Sequence, residues 1–220
     1  MAEQLLIYGN GQMAELACAR FRRDARYSVV GFTVERSVLG EAQLCGLPVI
    51  AFEDAERRFP PSAARIFVAV GPLRNNRIRA ENYLRAKSIG YRFASYVSPR
   101  AVVDPDVRIG ENCSIGDGVV IDPYVRIGDD VWIGTGAVIG HHSELGEHCF
   151  VGVNCTVLGS VRIGAYALVG AGAVIRDRIS LGDSSIVGVG ATIVRDTAPE
   201  SVHAAPEAVQ LPISSARARL

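Results

Sequence analysis

Residues 95–196 repeat their hydrophobic pattern every six positions. Cut from Ser95, the stretch gives seventeen unbroken hexads that end at Asp196. The third place of each hexad is aliphatic, the place after it is most often Gly, and the first place is mostly small or β-branched. An amphipathic helix repeats its apolar positions every 3.6 residues and a hairpin strand every two, so neither fits. A period of six predicts short strands and corners that coil into a parallel β-helix.

Each place of the hexad has an expected position in this coil. Third-place side chains fill the interior, and the small first-place side chains share it. The Gly after each aliphatic residue is expected at the corner, because Gly tolerates backbone angles that a Cβ disfavours. The remaining places point outward. Apolar outward residues such as Trp132 and Phe150 are therefore expected to pack against further copies of the chain.

The first 94 residues alternate strand and helix patterns. Apolar runs predict strands at 4–8, 28–32, 47–50 and 65–70, and helical spacing predicts helices at 13–23 and 73–88. In the second helix, Tyr83 and Leu84 are expected to face the core and Arg79 the solvent. This alternation predicts a small, doubly wound, Rossmann-like parallel sheet. The chain is therefore expected to divide into an α/β domain (1–94), a β-helix domain (95–196) and a capping segment (197–220).

The turn Gly9-Asn10-Gly11 is the candidate ligand loop of the first domain. A glycine turn that leads into a helix N-terminus suits phosphate groups, because unpaired N–H groups and the helix dipole point at it. The turn is incomplete as a dinucleotide fingerprint, because no acidic residue is expected at the end of the second strand. The chain passes Thr33 and Val34 before it reaches Glu35. Gly9, Asn10, Gly11 and Thr33 are the candidate substrate ligands. A tight strand-to-helix turn in a structural cap explains the same residues.

Three of the four histidines fall close together, at His141, His142 and His148. His141 and His142 take the fifth and sixth places of one hexad, where side chains point outward. Imidazole, with a pKa of about 6.5, is suited to remove the proton that an amine or hydroxyl loses when it attacks a thioester. Outward polar residues are also ordinary in a solenoid, so a purely structural role is the alternative.

The hexads and the layout of the whole chain resemble a known family. An aliphatic residue followed by Gly at a period of six, behind a small α/β domain with the lead-in Ile7-Tyr8-Gly9, is similar to the hexapeptide-repeat sugar acetyltransferases of the sialic acid O-acetyltransferase family, which are related to the bacillosamine and perosamine N-acetyltransferases. The resemblance implies a left-handed β-helix of triangular section, a homotrimer, and acetyl-CoA as co-substrate without a metal. It also implies a nucleotide-linked sugar as acceptor, acetylated at an amino or hydroxyl group in surface polysaccharide biosynthesis.

The same resemblance implies roles for single residues. His141 matches the general base of the family, and His142 stands where an acidic residue follows that base, so Glu144 or a group of a neighbouring subunit is expected to orient the imidazole. A second family histidine falls on Phe150. The acetyl donor is expected along the outside of the coils, between subunits. The residues matched to that groove are Phe150, Gly152, Gly159, Gly170, Ala171, Gly188 and Gly190.

Composition narrows the function classes. Lys plus Arg equals Asp plus Glu at 23 each, so no net field favours nucleic acid or an anionic membrane. The first apolar run is too short for a signal peptide, and no long apolar stretch predicts a membrane span, so a cytoplasmic protein is expected. The five cysteines include no C-x-x-C pair and are expected to be buried, reduced thiols.

Two rival functions are compatible with a hexapeptide β-helix. A metal hydrolyase like the γ-type carbonic anhydrases needs three histidines around one zinc ion. His142 and His148 are one hexad apart, which places them on successive corners, so a metal site is not expected. The second rival is a trimeric scaffold without catalysis, whose first domain binds a ligand or a partner.

Overall fold

The computed structural model describes residues 2–208. Its first part is an α/β domain. The elements are β1 (Glu3–Tyr8), α1 (Gln12–Phe21), β2 (Tyr27–Val34), a short 3-10 helix (Arg36–Val38), β3 (Gln43–Leu44), β4 (Leu47–Ala51), a second 3-10 helix (Phe52–Asp54), α2 (Ala55–Arg58), β5 (Ala64–Val68), α3 (Arg77–Ile89) and β6 (Arg92–Phe93). The strands form one sheet in the order β3-β4-β2-β1-β5-β6, and its pairs are parallel except for β3 with β4. The α/β layout predicted for this part is confirmed.

Strand β2 ends two residues later than the sequence pattern predicts. It runs to Val34, so no acidic residue lies at its end, as expected, and Glu35 follows the strand directly. The strand continues because Thr33 is satisfied inside the sheet. Its side chain is fully buried and its hydroxyl donates a 3.1 Å hydrogen bond to the carbonyl of Ile50.

The helix predicted from Leu73 begins only at Arg77. Residues 74–76 have φ of 49°, 53° and 65°, a left-handed conformation that a right-handed helix cannot include. This loop is instead anchored on the second part of the chain, where Asn75 Nδ2 donates to the carbonyl of Ser184 at 2.9 Å.

Arg79 on α3 is completely buried, although the sequence pattern places it in solvent. Its Nε donates to Asp130 Oδ1 at 3.0 Å, and its Nη2 donates to the carbonyls of Asp130, His148 and Cys149 at 3.0–3.1 Å. A buried charge is tolerated when it is paired and its donors are used. Leu84, expected in the core, is 51% exposed on the opposite side of the helix.

The second part is a parallel β-helix, as the hexads predict, and it is left-handed, as the family resemblance implies. Its strands are β7 Tyr96–Val97, β8 Val102–Val103, β9 Arg108–Ile109, β10 Ser114–Ile115, β11 Val120–Ile121, β12 Arg126–Ile127, β13 Trp132–Ile133, β14 Val138–Ile139, β15 Glu144–Leu145, β16 Phe150–Val151, β17 Thr156–Val157, β18 Arg162–Ile163, β19 Leu168–Val169, β20 Val174–Ile175, β21 Ser180–Leu181, β22 Ile186–Val187, β23 Thr192–Ile193 and β24 Val202–His203. Face one contains β7, β10, β13, β16, β19, β22 and β24, face two β8, β11, β14, β17, β20 and β23, and face three β9, β12, β15, β18 and β21.

First-place and third-place side chains share the interior, as predicted. The explanation of the glycines is corrected. A Cβ on Gly134 would lie 2.7 Å from the backbone nitrogen of Val153 in the next coil, so fourth-place Gly is needed for the close stacking of coils. The left-handed backbone falls at the sixth place instead, for example at Asn154 (φ 53°).

The N-terminal domain covers the early coils of face one. Trp132 is 4% exposed, and its ring stacks on Phe67 of the sheet at 5.7 Å between centroids. Phe150 packs against the same apolar cluster. The expectation that Trp132 and Phe150 face further copies of the chain is therefore wrong, because the chain's own first domain occupies that surface.

Candidate functional site

His141 and His142 lie at the corner between β14 and β15, and both side chains are exposed. Their Nδ1 atoms are 3.1 Å apart, and the rings meet nearly perpendicularly, at 86°. A hydrogen bond of this kind needs one nitrogen as donor and the other as acceptor, so one of the two rings carries a proton on Nδ1.

The ring of His141 lies over the next coil, at Gly159. A Cβ built on Gly159 would lie 2.6 Å from Cε1 and 2.7 Å from Nε2 of that ring. Gly159, which the sequence assigns to the donor groove, therefore provides the space that the His141 imidazole occupies. We call His141, His142 and Gly159 the histidine edge, since all three lie between faces two and three.

Tyr124 contacts the pair from the preceding coil. Its ring lies 4.7 Å from that of His142, with the planes tilted by 45°. Both residues have a left-handed backbone, with φ of 66° and 60°. The sequence pattern alone did not indicate a role for Tyr124. The signal that identifies it is the coil spacing, because Tyr124 stands one full coil before His142, which places both side chains in one column of the same edge.

Glu144 is not beside the imidazole it was expected to orient. It lies on face three, where its Oε2 is 3.8 Å from Arg162 Nε. Within residues 2–208, no carboxylate forms an ion pair with His141 or His142. The polar partner of the His141 ring is therefore His142.

Five of the residues matched to the donor groove lie along a different edge of the prism from Gly159. Gly152, Gly170, Ala171, Gly188 and Gly190 line the edge between faces one and two, which we call the glycine edge. Gly152 and Gly170 are buried between stacked coils, Ala171 and Gly188 are half-buried, and Gly190 is exposed. Face two separates the glycine edge from the histidine edge.

Face two presents a ladder of mostly β-branched side chains to the outside. Its outward residues are Val102, Val120, Val138, Thr156, Val174 and Thr192. Val102 is 66% exposed and Val174 37% exposed. A contiguous apolar face of this kind is typical of a surface that another protein covers.

His148 belongs to the packing of the domains and not to the histidine edge. It is 2% exposed, its Nδ1 is 2.9 Å from Asp130 Oδ2, and its ring lies 4.7 Å from that of Tyr166. The structure thus separates His142 and His148, as the hexad spacing indicates. Among residues 2–208, no group of three or more His, Cys, Asp or Glu side chains is arranged to hold a metal ion.

The loop Gly9–Gly11 lies at the carboxyl end of β1, in the middle of the sheet. Gly9 has φ of 132°, and a Cβ there would lie 2.7 Å from the carbonyl oxygen of Ala69, so only Gly fits. Gly11 begins α1 without a side-chain cap, which leaves the first amides of that helix for a ligand. The Thr33 hydroxyl is not directed at this loop, because it donates a hydrogen bond to the carbonyl of Ile50 inside the sheet.

Tyr8 and Glu35 stand at the same edge of the sheet, and the sequence analysis assigned neither a role. The Tyr8 hydroxyl is buried, and no described residue accepts or donates a hydrogen bond to it. Burial raises the pKa of Tyr8 above its usual range, and the negative charge of Glu35 raises it further. Glu35 also has Arg85 4.0 Å away.

The first-place cysteines are inert packing residues. Burial raises the pKa of the Cys113 and Cys149 thiols to about 12, so both stay protonated. Cys155 is buried as well, and its pKa is raised by the same cause. Cys45 departs from the expectation, because it is exposed in the turn between β3 and β4.

Two family models match the β-helix. The model described as bacterial transferase hexapeptide (six repeats) matches residues 124–159. The model described as hexapeptide repeat of succinyl-transferase matches residues 106–141, 144–177 and 160–195. Among curated proteins, none matches the chain.

Solved structures match the chain over most of its length. The acetyltransferase domain of PglB from Neisseria gonorrhoeae FA1090 is 25% identical, with a TM-score of 0.82, and the match covers 92% of this chain and 97% of that one. PerB from Caulobacter crescentus, solved with CoA and GDP-perosamine, is 29% identical with a TM-score of 0.83, covering 93% and 95%. WeeI from Acinetobacter baumannii AYE shares the fold at 19% identity and a TM-score of 0.65, covering 91% and 96%.

Proposed function

We propose, on the premise that this chain is a hexapeptide-repeat sugar acetyltransferase related to the bacillosamine and perosamine N-acetyltransferases, that it transfers the acetyl group of acetyl-CoA to a nucleotide-linked sugar. The observation that carries this proposal is the exposed His141 imidazole, which is paired at Nδ1 and seated over a glycine. The product would enter the synthesis of a surface polysaccharide.

His141 acts as the general base in this proposal. Its Nε2 takes the proton that the acceptor amine or hydroxyl loses as that group attacks the thioester carbon. The carbon–sulfur bond then breaks, and the thiolate of CoA receives the proton from His141, so the imidazole ends neutral. The thioester carries a good leaving group, so no covalent enzyme intermediate is required. Phe150 supplies no second imidazole, and its ring packs against the N-terminal domain.

The donor would lie between two copies of the chain. The glycine edge lets pantetheine approach the backbone, but His141 lies on the other side of face two. A donor held by the glycine edge of one copy reaches His141 only if a second copy supplies it. The apolar ladder of face two supports this arrangement, because such a face is stabilised when another copy covers it. We propose a homotrimer, which closes these contacts into a ring.

The nucleotide would bind at the carboxyl edge of the N-terminal sheet. The amides that begin α1, with Gly9 and Gly11, suit a diphosphate, and Asn10 lies between them. Glu35 follows β2 at the same edge and can accept hydrogen bonds from a ribose or a base. The sugar would extend from this edge towards the histidine edge of a copy in the assembly.

The proposed acceptor atom is an amine, with a hydroxyl as the alternative. PerB is named as a perosamine N-acetyltransferase and was solved with an amino sugar nucleotide. We place the reaction in the cytoplasm, where thiols such as Cys113 and Cys149 stay reduced, and both are unpaired here. Between residues 2 and 208, no helix combines the length and apolar composition that crossing a membrane requires.

The test is a screen of nucleotide-linked amino and hydroxy sugars with acetyl-CoA, read by mass spectrometry. We expect one sugar to gain a single acetyl group while an equal amount of CoA thiol is released. Tight binding of a nucleotide sugar without any transfer would instead favour the scaffold function. Acetylation only of sugars that lack an amino group would identify the acceptor group as a hydroxyl instead of an amine.

A further inference from the structure

The imidazole of His141 has a second imidazole as its partner instead of a carboxylate. The two Nδ1 atoms are 3.1 Å apart. Charged side chains stand on the neighbouring coil and strand, at Asp122, Glu144 and Arg162, and among residues 2–208 none forms an ion pair with either ring. The ring that does contact the pair is Tyr124, stacked on His142.

We propose that Tyr124 and His142 are positioning residues that hold His141 with its proton on Nδ1. In this arrangement His141 Nδ1–H donates to His142 Nδ1, and His142 carries its own proton on Nε2. The His141 Nε2 lone pair is then free. The opposite direction of the bond would place the His141 proton on Nε2 and leave no base. The role of this tautomer in catalysis rests on the proposed function. The tautomer itself rests only on the hydrogen bond between the two rings.

The pair also determines where charge goes when a proton is taken up. A proton that reaches His141 Nε2 leaves the Nδ1–H bond to His142 intact, so the positive charge is shared by two rings.

Tyr124, although exposed, holds the His142 ring in place in this arrangement. Its ring lies 4.7 Å from that of His142 at a tilt of 45°, so the contact limits the rotation of the His142 ring. Both residues have a left-handed backbone, which directs the two side chains along one column. Loss of the ring should free His142 to rotate, and the bond to His141 should weaken with it.

The pair can be observed directly by NMR of the full-length chain labelled with ¹⁵N-histidine. Long-range proton–nitrogen correlations distinguish the two tautomers of each ring and follow them with pH. We expect His141 in the Nδ1–H form and His142 in the Nε2–H form. His142→Ala should return His141 to a mixture of tautomers. A His141 ring in the Nε2–H form, or one unchanged by His142→Ala, would overturn the proposal.

Two matched substitutions separate positioning from folding. Tyr124→Phe keeps the ring and should leave the His141 tautomer unchanged, whereas Tyr124→Ala should shift it towards the mixture at an unchanged melting temperature. His142→Asp places an acceptor carboxylate beside His141 and should keep His141 in the Nδ1–H form. Because these spectra need no acetyl transfer, the absence of activity would count against the proposed function alone. Identical spectra for Tyr124→Ala and Tyr124→Phe would remove Tyr124 from the positioning role.

Discussion

At the scale of single residues, the proposed catalytic base and its neighbours lie on one exposed corner of the β-helix. His141 is held on two sides, by the Nδ1 contact with His142 and by the glycine backbone beneath its ring. The sequence predicts the position of His141 from its place in the hexad. It did not reveal Tyr124, because a stacking partner eighteen residues away becomes visible only when the coil length is known.

Replacement of His141 by Ala should lower kcat by about 10²–10⁴-fold, the usual contribution of general base catalysis. The KM for acetyl-CoA should change little, because Ala removes no backbone contact of the glycine edge. Steady-state kinetics with the acceptor identified by the screen measure both values. Ser160→Ala, an outward substitution in the next coil of the same edge, is the matched control and should keep the full rate. His141→Ala retaining more than about half of the wild-type kcat would exclude His141 as the base.

Replacement of Gly159 by Ala should act through the His141 ring. The added Cβ would meet Cε1 and Nε2 of that ring at 2.6–2.7 Å, and the ring, as the end of a flexible side chain, must move away. A displacement of about 1 Å can cost roughly 10²-fold in rate, so kcat should fall by about that factor without a lower melting temperature.

A double-mutant cycle checks this path. In the His141→Ala background the ring is absent, so Gly159→Ala should have no further effect on kcat. A further loss of similar size in that background would show that Gly159 acts on the donor directly.

At the scale of elements, helix α3 joins the two parts of the chain. Its buried face carries Arg79, whose guanidinium contacts Asp130 and three carbonyls of the β-helix. Sequence patterns could not predict this, because charged side chains are almost never fully buried unless they are paired. The partner is 51 residues away in the sequence and in another domain.

Replacement of Arg79 by Met should destabilise the protein by roughly 3–5 kcal/mol, since it removes the guanidinium that pairs with the buried Asp130 carboxylate and leaves that carboxylate only its contacts with His148 and Asn112. Thermal unfolding followed by calorimetry should show a clearly lower melting temperature. The double variant Arg79→Met with Asp130→Asn also removes the carboxylate charge and should recover part of the loss. A melting temperature equal to that of the wild type would mean that this contact does not stabilise the docked helix.

At the scale of the whole molecule, the sequence predicts the β-helix well but not the packing of the N-terminal domain against it. The β-helix follows from a local rule, because each hexad specifies its own strand, corner and inward side chain. The docking of the domains depends on distant pairs such as Trp132 with Phe67, which no periodicity encodes. The division at residues 94 and 196 stays a prediction, and the predicted capping segment lies within the described residues only as far as Ala208.

The most direct test of the account is activity in mixed oligomers. His141→Ala lacks the proposed base, and Ala171→Trp fills the glycine edge from a half-buried, outward place of the hexad, so each variant alone should be inactive. Co-expressed with different tags and purified as mixed assemblies, they should recover about a quarter of the wild-type rate. In a ring assembled at random, one contact in about four pairs an intact base of one copy with an intact glycine edge of the next. Assemblies proven to be mixed by native mass spectrometry, yet as inactive as the single variants, would contradict an acetyl donor shared between copies.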